Sequence, residues 1–152
     1  MVVRLHVPAS DAFRTFADPQ NMPKINPSVE SLQILPGAKP GVIRIATDVK
    51  VCALFYCRVL HQVQDMTVTP LSNGGDMHAD VLPDQSDFRY GRADWRFRSI
   101  GADTQLQFQA EMEPAFWIPP VLGTWVVEKS LRRQAEETGT GIERLAKRAA
   151  KP

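Results

Sequence analysis

The chain has 152 residues, of which 23% are charged and 43% hydrophobic, and its formal net charge is +1 at pH 7. This length and composition are typical of one folded domain with its own core, here expected over residues 1–152, rather than of a disordered chain. The nearly balanced charge gives no basis for nucleic-acid binding. The longest apolar stretches, residues 51–56 and 117–122, are too short to span a bilayer, so we expect a soluble protein.

The N-terminal part predicts a strand followed by two short helices. Apolar and polar residues alternate over residues 2–7, which indicates a strand. Because this strand starts at the second residue, a longer precursor with a removed leader stays an open alternative. A short helix follows Pro8, with an apolar stripe that includes Phe13 and Phe16. It ends before Pro19, since the residue that precedes a proline is disfavoured in a helix, and an irregular helical turn comes next.

A period of two then predicts six strands. They lie at about residues 29–35, 42–51, 55–68, 76–82, 87–99 and 105–112. Turn sequences separate them, of which Asn73-Gly74-Gly75 is the strongest. Each strand has one apolar and one polar face, which is typical of an antiparallel sheet that covers a core on one side.

The face assignment in the strand at 55–68 determines which histidine points inward. The apolar face that we assign to the interior consists of Cys57, Val59, His61 and Val63. This assignment makes His61 the one inward histidine and leaves His6 and His78 outside.

The chain after Pro114 predicts a long helix. Its apolar stripe repeats at intervals of three or four residues and consists of Val127, Leu131, Ala135, Thr138, Ile142, Leu145 and Ala149. The stripe keeps its register through Gly139 and Gly141, although each glycine costs about 1 kcal/mol relative to alanine. We therefore predict one continuous helix, whose apolar face covers the apolar face of the sheet.

Five segments carry a resemblance to a known family. They are Pro8-Ala9-Ser10-Asp11-Ala12-Phe13 with Phe16-Ala17-Asp18-Pro19, Leu35-Pro36-Gly37 with Gly41-Val42, Gln62-Val63-Gln64-Asp65-Met66, Ser86-Asp87-Phe88-Arg89-Tyr90-Gly91, and Pro119-Pro120. Together with the order of elements, they resemble the START and birch-pollen-allergen (SRPBCC) superfamily, in particular its bacterial polyketide cyclase/dehydrase and lipid transport branch. The resemblance covers essentially the whole chain.

The resemblance implies an α+β helix-grip fold, in which a curved antiparallel sheet of about seven strands wraps around the long C-terminal helix. It also implies a tunnel between sheet and helix for hydrophobic molecules such as lipids, quinones, polyketides or steroids. The expected lining residues are His61, Asp65, Arg89, Trp95, Phe97, Phe108, Met112, Trp117, Val127 and Leu131.

Few polar residues are expected inside this pocket, and each has two interpretations. Asp65 and Arg89 either pair with each other, or Arg89 binds a ligand carboxylate or phosphate. His61 is either the general base of a cyclisation or a histidine held by a neighbouring group. No cofactor and no metal are expected, since the histidines are dispersed and no His-x-x-His or Cys-x-x-Cys spacing occurs.

Cys52 and Cys57 flank the four residues of a predicted hairpin turn. Residues that face each other across such a turn have Cα atoms about 5 Å apart, within reach of a disulfide. A disulfide predicts an oxidising compartment, such as the periplasm after removal of a leader. Two free thiols in a cytoplasmic protein are the alternative.

Three functions are compatible with the sequence. The first is the binding or carriage of a hydrophobic small molecule, which the absence of a nucleophile motif favours. The second is an aromatase/cyclase-type enzyme that acts on a polyketide-like substrate. The third is a protein-interaction module that uses the apolar rim of the pocket. Leu54, Phe55 and Tyr56 either pack on the segment Phe116-Trp117-Ile118, or both segments lie at that rim, where a transient contact with a membrane surface is the further alternative.

Overall fold

The computed structural model describes residues 1–53 and 55–150, and the side chains of residues 53, 122–127 and 150 lie outside the description. Strand β1 (Val2–Leu5) precedes helices α1 (Ala9–Ala17) and α2 (Met22–Ile25). Six strands follow, namely β2 (Val29–Leu35), β3 (Val42–Ala53), β4 (Tyr56–Leu71), β5 (Gly74–Val81), β6 (Phe88–Ile100) and β7 (Asp103–Pro114). Helix α3 (Gly123–Ala150) comes last. This is the predicted order of elements.

The seven strands form one antiparallel sheet in the order β1-β7-β6-β5-β4-β3-β2. Consecutive strands from β2 to β7 are neighbours, because short turns connect them, whereas β1 pairs with β7 at the far edge. The predicted helix-grip architecture, a curved antiparallel sheet with a long C-terminal helix, is confirmed.

The hydrophobic core occupies one part of the inner sheet face, under α1 and the C-terminal half of α3. Its buried members include Leu5, Phe13, Phe16, Ile25, Ile45, Met66, Met77, Phe97, Leu106, Ile142 and Ala146. The rings of Phe13 and Phe16 lie 5.8 and 5.4 Å from that of Phe97, which is fully buried. Two aromatic side chains from one short helix thus fill this part of the concave face.

The predicted inner face of β4 is wrong. Met66 of β4 lies in the core opposite Ile43 of β3, and side chains alternate along a strand. The even-numbered residues from Arg58 to Val68 therefore face inward, and His61 faces outward. The prediction took Val63 as an inner residue because it is apolar, but Val63 is buried outside the main core. There its backbone N–H donates to Ser86 Oγ, and its carbonyl oxygen accepts from the N–H of Leu82.

Helix α3 crosses the end of α2 at Gly141, which is buried. A Cβ atom at this position would overlap the backbone carbonyl of Ile25. Glycine is therefore required by the close approach of α2, which offsets its low helix propensity. The predicted continuous helix runs through Gly139 and Gly141.

We predict that Gly141→Ala destabilises the protein, although alanine is the better helix former. The new methyl group meets backbone rather than a movable side chain, so the free energy of unfolding should fall by about 1–3 kcal/mol, the usual cost of overpacking. Thr140→Ala, at the neighbouring exposed position, is the control, and it should leave the free energy of unfolding unchanged or raise it slightly. Denaturant unfolding of both variants measures this, and an unchanged midpoint for Gly141→Ala would contradict the close approach.

Candidate functional site

The inner sheet face beyond the core is apolar but incompletely covered. We call this region the open half, and its inner-facing residues are Val49, Val51, Leu60, Ala93, Ala110 and Met112. Val49, Val51 and Leu60 are half-buried, whereas Met112 is 40% exposed. A concave apolar face with exposed side chains is the usual lining of a small-molecule site.

Helix α3 lies across this region. Ser130 Oγ donates a hydrogen bond of 3.2 Å to the carbonyl oxygen of Cys52, which places the helix next to the end of the β3–β4 hairpin. Leu131, on the apolar stripe of α3, is nevertheless 47% exposed. The helix is thus held near the sheet without burying its apolar stripe at this point.

Aromatic rings in mutual contact separate the core from the open half. The Trp95 ring lies 5.3 Å from Phe16 and 5.4 Å from Phe108. Trp95 and Phe108 are half-buried and face inward at opposite positions of β6 and β7. They form one wall of the candidate site.

The far end of the open half carries a cation and exposed aromatic residues. The guanidinium of Arg58 lies 4.2 Å from the centre of the Phe116 ring, a cation–π contact. Phe55 is 82% exposed, and Trp117, next to Phe116, is 72% exposed. Phe55 and Trp117 are therefore not buried by packing between the two segments, and Leu54, which was expected in the same contact, lies outside the described residues.

Two polar atoms lie buried at the border between core and open half. Thr47 Oγ1 and Gln62 Oε1 have no hydrogen-bond partner within the part of the chain that the structure describes. The two residues are directly opposite each other on β3 and β4. The hydrophobic pattern of the sequence placed Gln62 on the outer face. Gln62 becomes a candidate site residue only when the register of β4 shows which of its residues face inward.

His61, the candidate catalytic base, does not face the site. Its Nδ1 atom lies 2.7 Å from Asp48 Oδ1 on the outer sheet face, and 52% of its side chain is exposed. The pKa of Asp48 is lowered by hydrogen bonds, first from His61 and then from Ser31. The inward placement of His61 was wrong, because the register of β4 directs odd-numbered residues outward.

The expected pairing of Asp65 with Arg89 is also wrong. Asp65 accepts two hydrogen bonds from Arg44, of 2.8 and 3.0 Å, because the two residues are opposite each other on the outer faces of β3 and β4. This hydrogen bonding lowers the pKa of Asp65. Arg89 lies at a bulge of β6 and forms an exposed ion pair of 3.6 Å with Glu113.

The other expected lining residues divide into four groups. Trp95, Phe108 and Met112 face the candidate site, whereas Phe97 lies in the core. Trp117 and Leu131 are exposed at its margin. The side chain of Val127 lies outside the described residues.

Cys52 and Cys57 are joined by a disulfide, and their Cα atoms are 4.1 Å apart. They are opposite each other at the end of the β3–β4 hairpin. Since Ser130 bonds to the carbonyl of Cys52, the cross-linked hairpin end also anchors α3.

The third histidine belongs to a charged cluster on the outer face. His78 lies between two carboxylates, with Nδ1 2.7 Å from Asp94 and Nε2 2.9 Å from Asp80. The hydrogen bond to Asp94, followed by the charge and hydrogen bond of Asp80, raises the pKa of His78. This cluster contributes to the solvent-facing side of the sheet and not to the candidate site.

A comparison of protein families matches residues 5–137 to the model for polyketide cyclase/dehydrase and lipid transport proteins. The chain belongs to this family. No curated protein matches the sequence. None of the described helices is long and apolar enough to cross a membrane.

Several solved structures share the fold of this family member at low sequence identity. A Thermus thermophilus protein has a TM-score of 0.79 at 16% identity, with 99% of this chain and 97% of that chain covered. The Zhui aromatase/cyclase of Streptomyces has a TM-score of 0.76 at 15% identity, with 99% and 93% covered. A STAR-related lipid transfer protein of Xanthomonas axonopodis has a TM-score of 0.69 at 17% identity, with 93% and 82% covered.

Proposed function

We propose that this protein binds and carries a hydrophobic small molecule between the open half of the sheet and helix α3. The observation that carries the proposal is the exposure of apolar side chains on the inner face, although the core next to them is fully packed. Exposed apolar area costs about 25 cal/mol per Å², so a ligand that covers Met112 and Leu131 would gain this free energy.

Small side chains support a site with room for a ligand. Ala93 and Ala110 are opposite each other in the middle of the open half. Ala110 is exposed and Ala93 half-buried, whereas two positions along the same strands the rings of Trp95 and Phe108 lie 5.4 Å apart. The site therefore has an aromatic wall and an open centre.

The charges favour a ligand whose inner part is neutral. Within the described part of β3–β7, Arg58 is the one charged residue at an inner position, and it lies at the hairpin end against Phe116. The ion pairs of these strands, such as Arg44–Asp65, lie on the outer face. A buried ionic group on the ligand would have no partner near Ala93 and Ala110, at a high desolvation cost.

The exposed residues at the hairpin end suggest how the ligand enters. Phe55 lies in the turn of this hairpin, and Trp117 lies near the same end because its neighbour Phe116 contacts Arg58. We propose that these apolar residues form the entrance, where a membrane surface or a partner protein delivers the ligand.

An aromatase/cyclase activity is the second candidate, since the family description includes cyclases and the fold matches an aromatase/cyclase. Such an enzyme needs an acid or base next to the substrate. His61 faces away from the site and is paired with Asp48. This placement is the reason why carriage ranks first.

We predict that Ala110→Trp abolishes ligand binding while the protein stays folded, because the indole fills the centre of the open half. Native mass spectrometry of the protein purified from its own host should show an adduct of lipid-like mass that disappears on denaturation. Ala110→Trp should reduce this adduct to background.

Gln109→Trp is the matched control, since it adds the same side chain at the next residue but on the outer face. It should retain the adduct. Equal adduct levels in both variants would place the ligand elsewhere, and a wild-type protein without any adduct, even after incubation with lipid extract, would contradict the proposed function.

We further propose that the protein functions in an oxidising compartment, because disulfides such as Cys52–Cys57 persist there and are rare in reducing compartments. The denatured mass of the unreduced protein tests this proposal. We expect a mass lower than that of the dithiol by two hydrogen atoms. Two alkylatable thiols in protein taken directly from the host would contradict it.

A further inference from the structure

We infer that Thr47 and Gln62 form a subsite for a neutral hydroxyl group of the ligand. The inference rests on the proposed function, because it names the chemistry of a ligand in the same site. It starts from the two buried polar atoms, Thr47 Oγ1 and Gln62 Oε1, for which the described part of the chain supplies no partner.

The surroundings of this pair are mostly apolar, although the buried Gln64 is the next inner residue of β4 after Gln62. Thr47 is 2% exposed, and its neighbours on the inner face include Leu32, directly opposite on β2, and the fully buried Ile45. A buried polar atom without a hydrogen bond costs free energy, and such atoms are rare in folded proteins. An occupant that supplies the missing bonds therefore gains affinity at this position.

A second buried threonine shows how this protein treats a structural hydroxyl. Thr104 is fully buried on the inner face, where its Oγ1 donates a hydrogen bond of 2.7 Å to the carbonyl oxygen of Val7. Thr47 has the same residue type, face and burial, but its hydroxyl has no such partner among the described residues. The difference indicates that the Thr47 hydroxyl serves an occupant of the site and not the fold.

The two atoms together select one functional group. Gln62 Oε1 only accepts hydrogen bonds, whereas the Thr47 hydroxyl both donates and accepts. Residues opposite each other on neighbouring strands have Cβ atoms about 5 Å apart, so one group can reach both. A hydroxyl donates to Gln62 and accepts from Thr47, which satisfies both atoms.

Other common groups satisfy the pair less well. A ketone, quinone or ether oxygen accepts from Thr47 but leaves Gln62 Oε1 unpaired. A carboxylate places negative charge next to the Gln62 oxygen, with no cation at a neighbouring inner position of the described strands. The subsite therefore favours alcohols and phenols, whether aliphatic lipids or hydroxylated aromatic rings.

The test uses pairs of ligands in which a methyl group replaces the hydroxyl proton and so removes the donor. Affinities of the disulfide-intact protein are measured for dodecanol and dodecyl methyl ether, and for naphthol and methoxynaphthalene. We expect each hydroxyl compound to bind about tenfold more tightly than its ether, which is the value of one hydrogen bond. Comparison of the affinities of dodecanol and naphthol shows whether the site prefers an aliphatic or an aromatic alcohol.

Variants then assign the two hydrogen bonds to the two residues. Gln62→Met keeps the side-chain size and should reduce the preference to less than about threefold, because it removes the acceptor that only the alcohol can use. Thr47→Val should weaken the alcohol and the ether alike and leave the preference in place, because both accept from the Thr47 hydroxyl. Thr104→Val is the matched control and should keep the preference while lowering the Tm. Thr47→Val should leave the Tm unchanged or raise it, because it removes an unpaired hydroxyl; Gln62→Met keeps the test valid if Thr47→Val does not fold.

The outcomes separate this inference from the proposed function. Alcohols and ethers that bind equally to the wild-type protein would overturn the hydroxyl subsite, as expected for a trapped water molecule, but would leave carriage intact. A preference that persists in Gln62→Met, or affinities that Thr47→Val leaves unchanged, would also overturn it. If no compound binds, the proposed function itself fails.

Discussion

The packing of Phe13 and Phe16 against Phe97 determines how the inner face of the sheet is used. These rings and the C-terminal half of α3 fill one part of the concave face, and Gly141 lets α3 approach α2 closely there. The N-terminal half of α3 extends beyond this core and is anchored to the hairpin end through Ser130. A rigid core at one end and an anchored helix at the other leave the open half between them.

Strand register separates charge from apolar surface in this protein. Side chains alternate along each strand, so a fixed register directs both residues of each cross-strand pair to the same face of the sheet. On β3 and β4 the pairs Arg44–Asp65 and Asp48–His61 lie outside, while Ile45, Thr47, Gln62 and Met66 lie inside. This part of the inner face thus holds neutral polar groups without charge, which suits a mostly apolar ligand with one hydroxyl.

The strands β6 and β7 show why most of the fold could be predicted from the sequence. Trp95 and Phe97 alternate with arginines, so the hydrophobic pattern and the true inner face agree. The long helix was predicted for the same reason, since its apolar stripe kept its register through two glycines.

The strand β4 shows why the site was predicted only in part. Its inner residues include Arg58, Gln62 and Gln64, whereas Val59 and Val63 lie outside. Polar residues on the inner face reverse the usual pattern, and the burial of Val63 depends on the segment around Ser86, which is distant in sequence. Arg89 was misplaced because the bulge of β6 is not visible in the hydrophobic pattern.

Methyl NMR of the methionines tests the central claim most directly, since the five methionines sample different parts of the molecule. Met112 faces the open half, whereas Met66 lies in the core on β4, opposite Ile43. Titration of ¹³C-methyl-labelled protein with dodecanol should shift the Met112 signal and leave that of Met66 unchanged. A saturable shift of Met66 with an unchanged Met112 signal would contradict a ligand site between the sheet and α3.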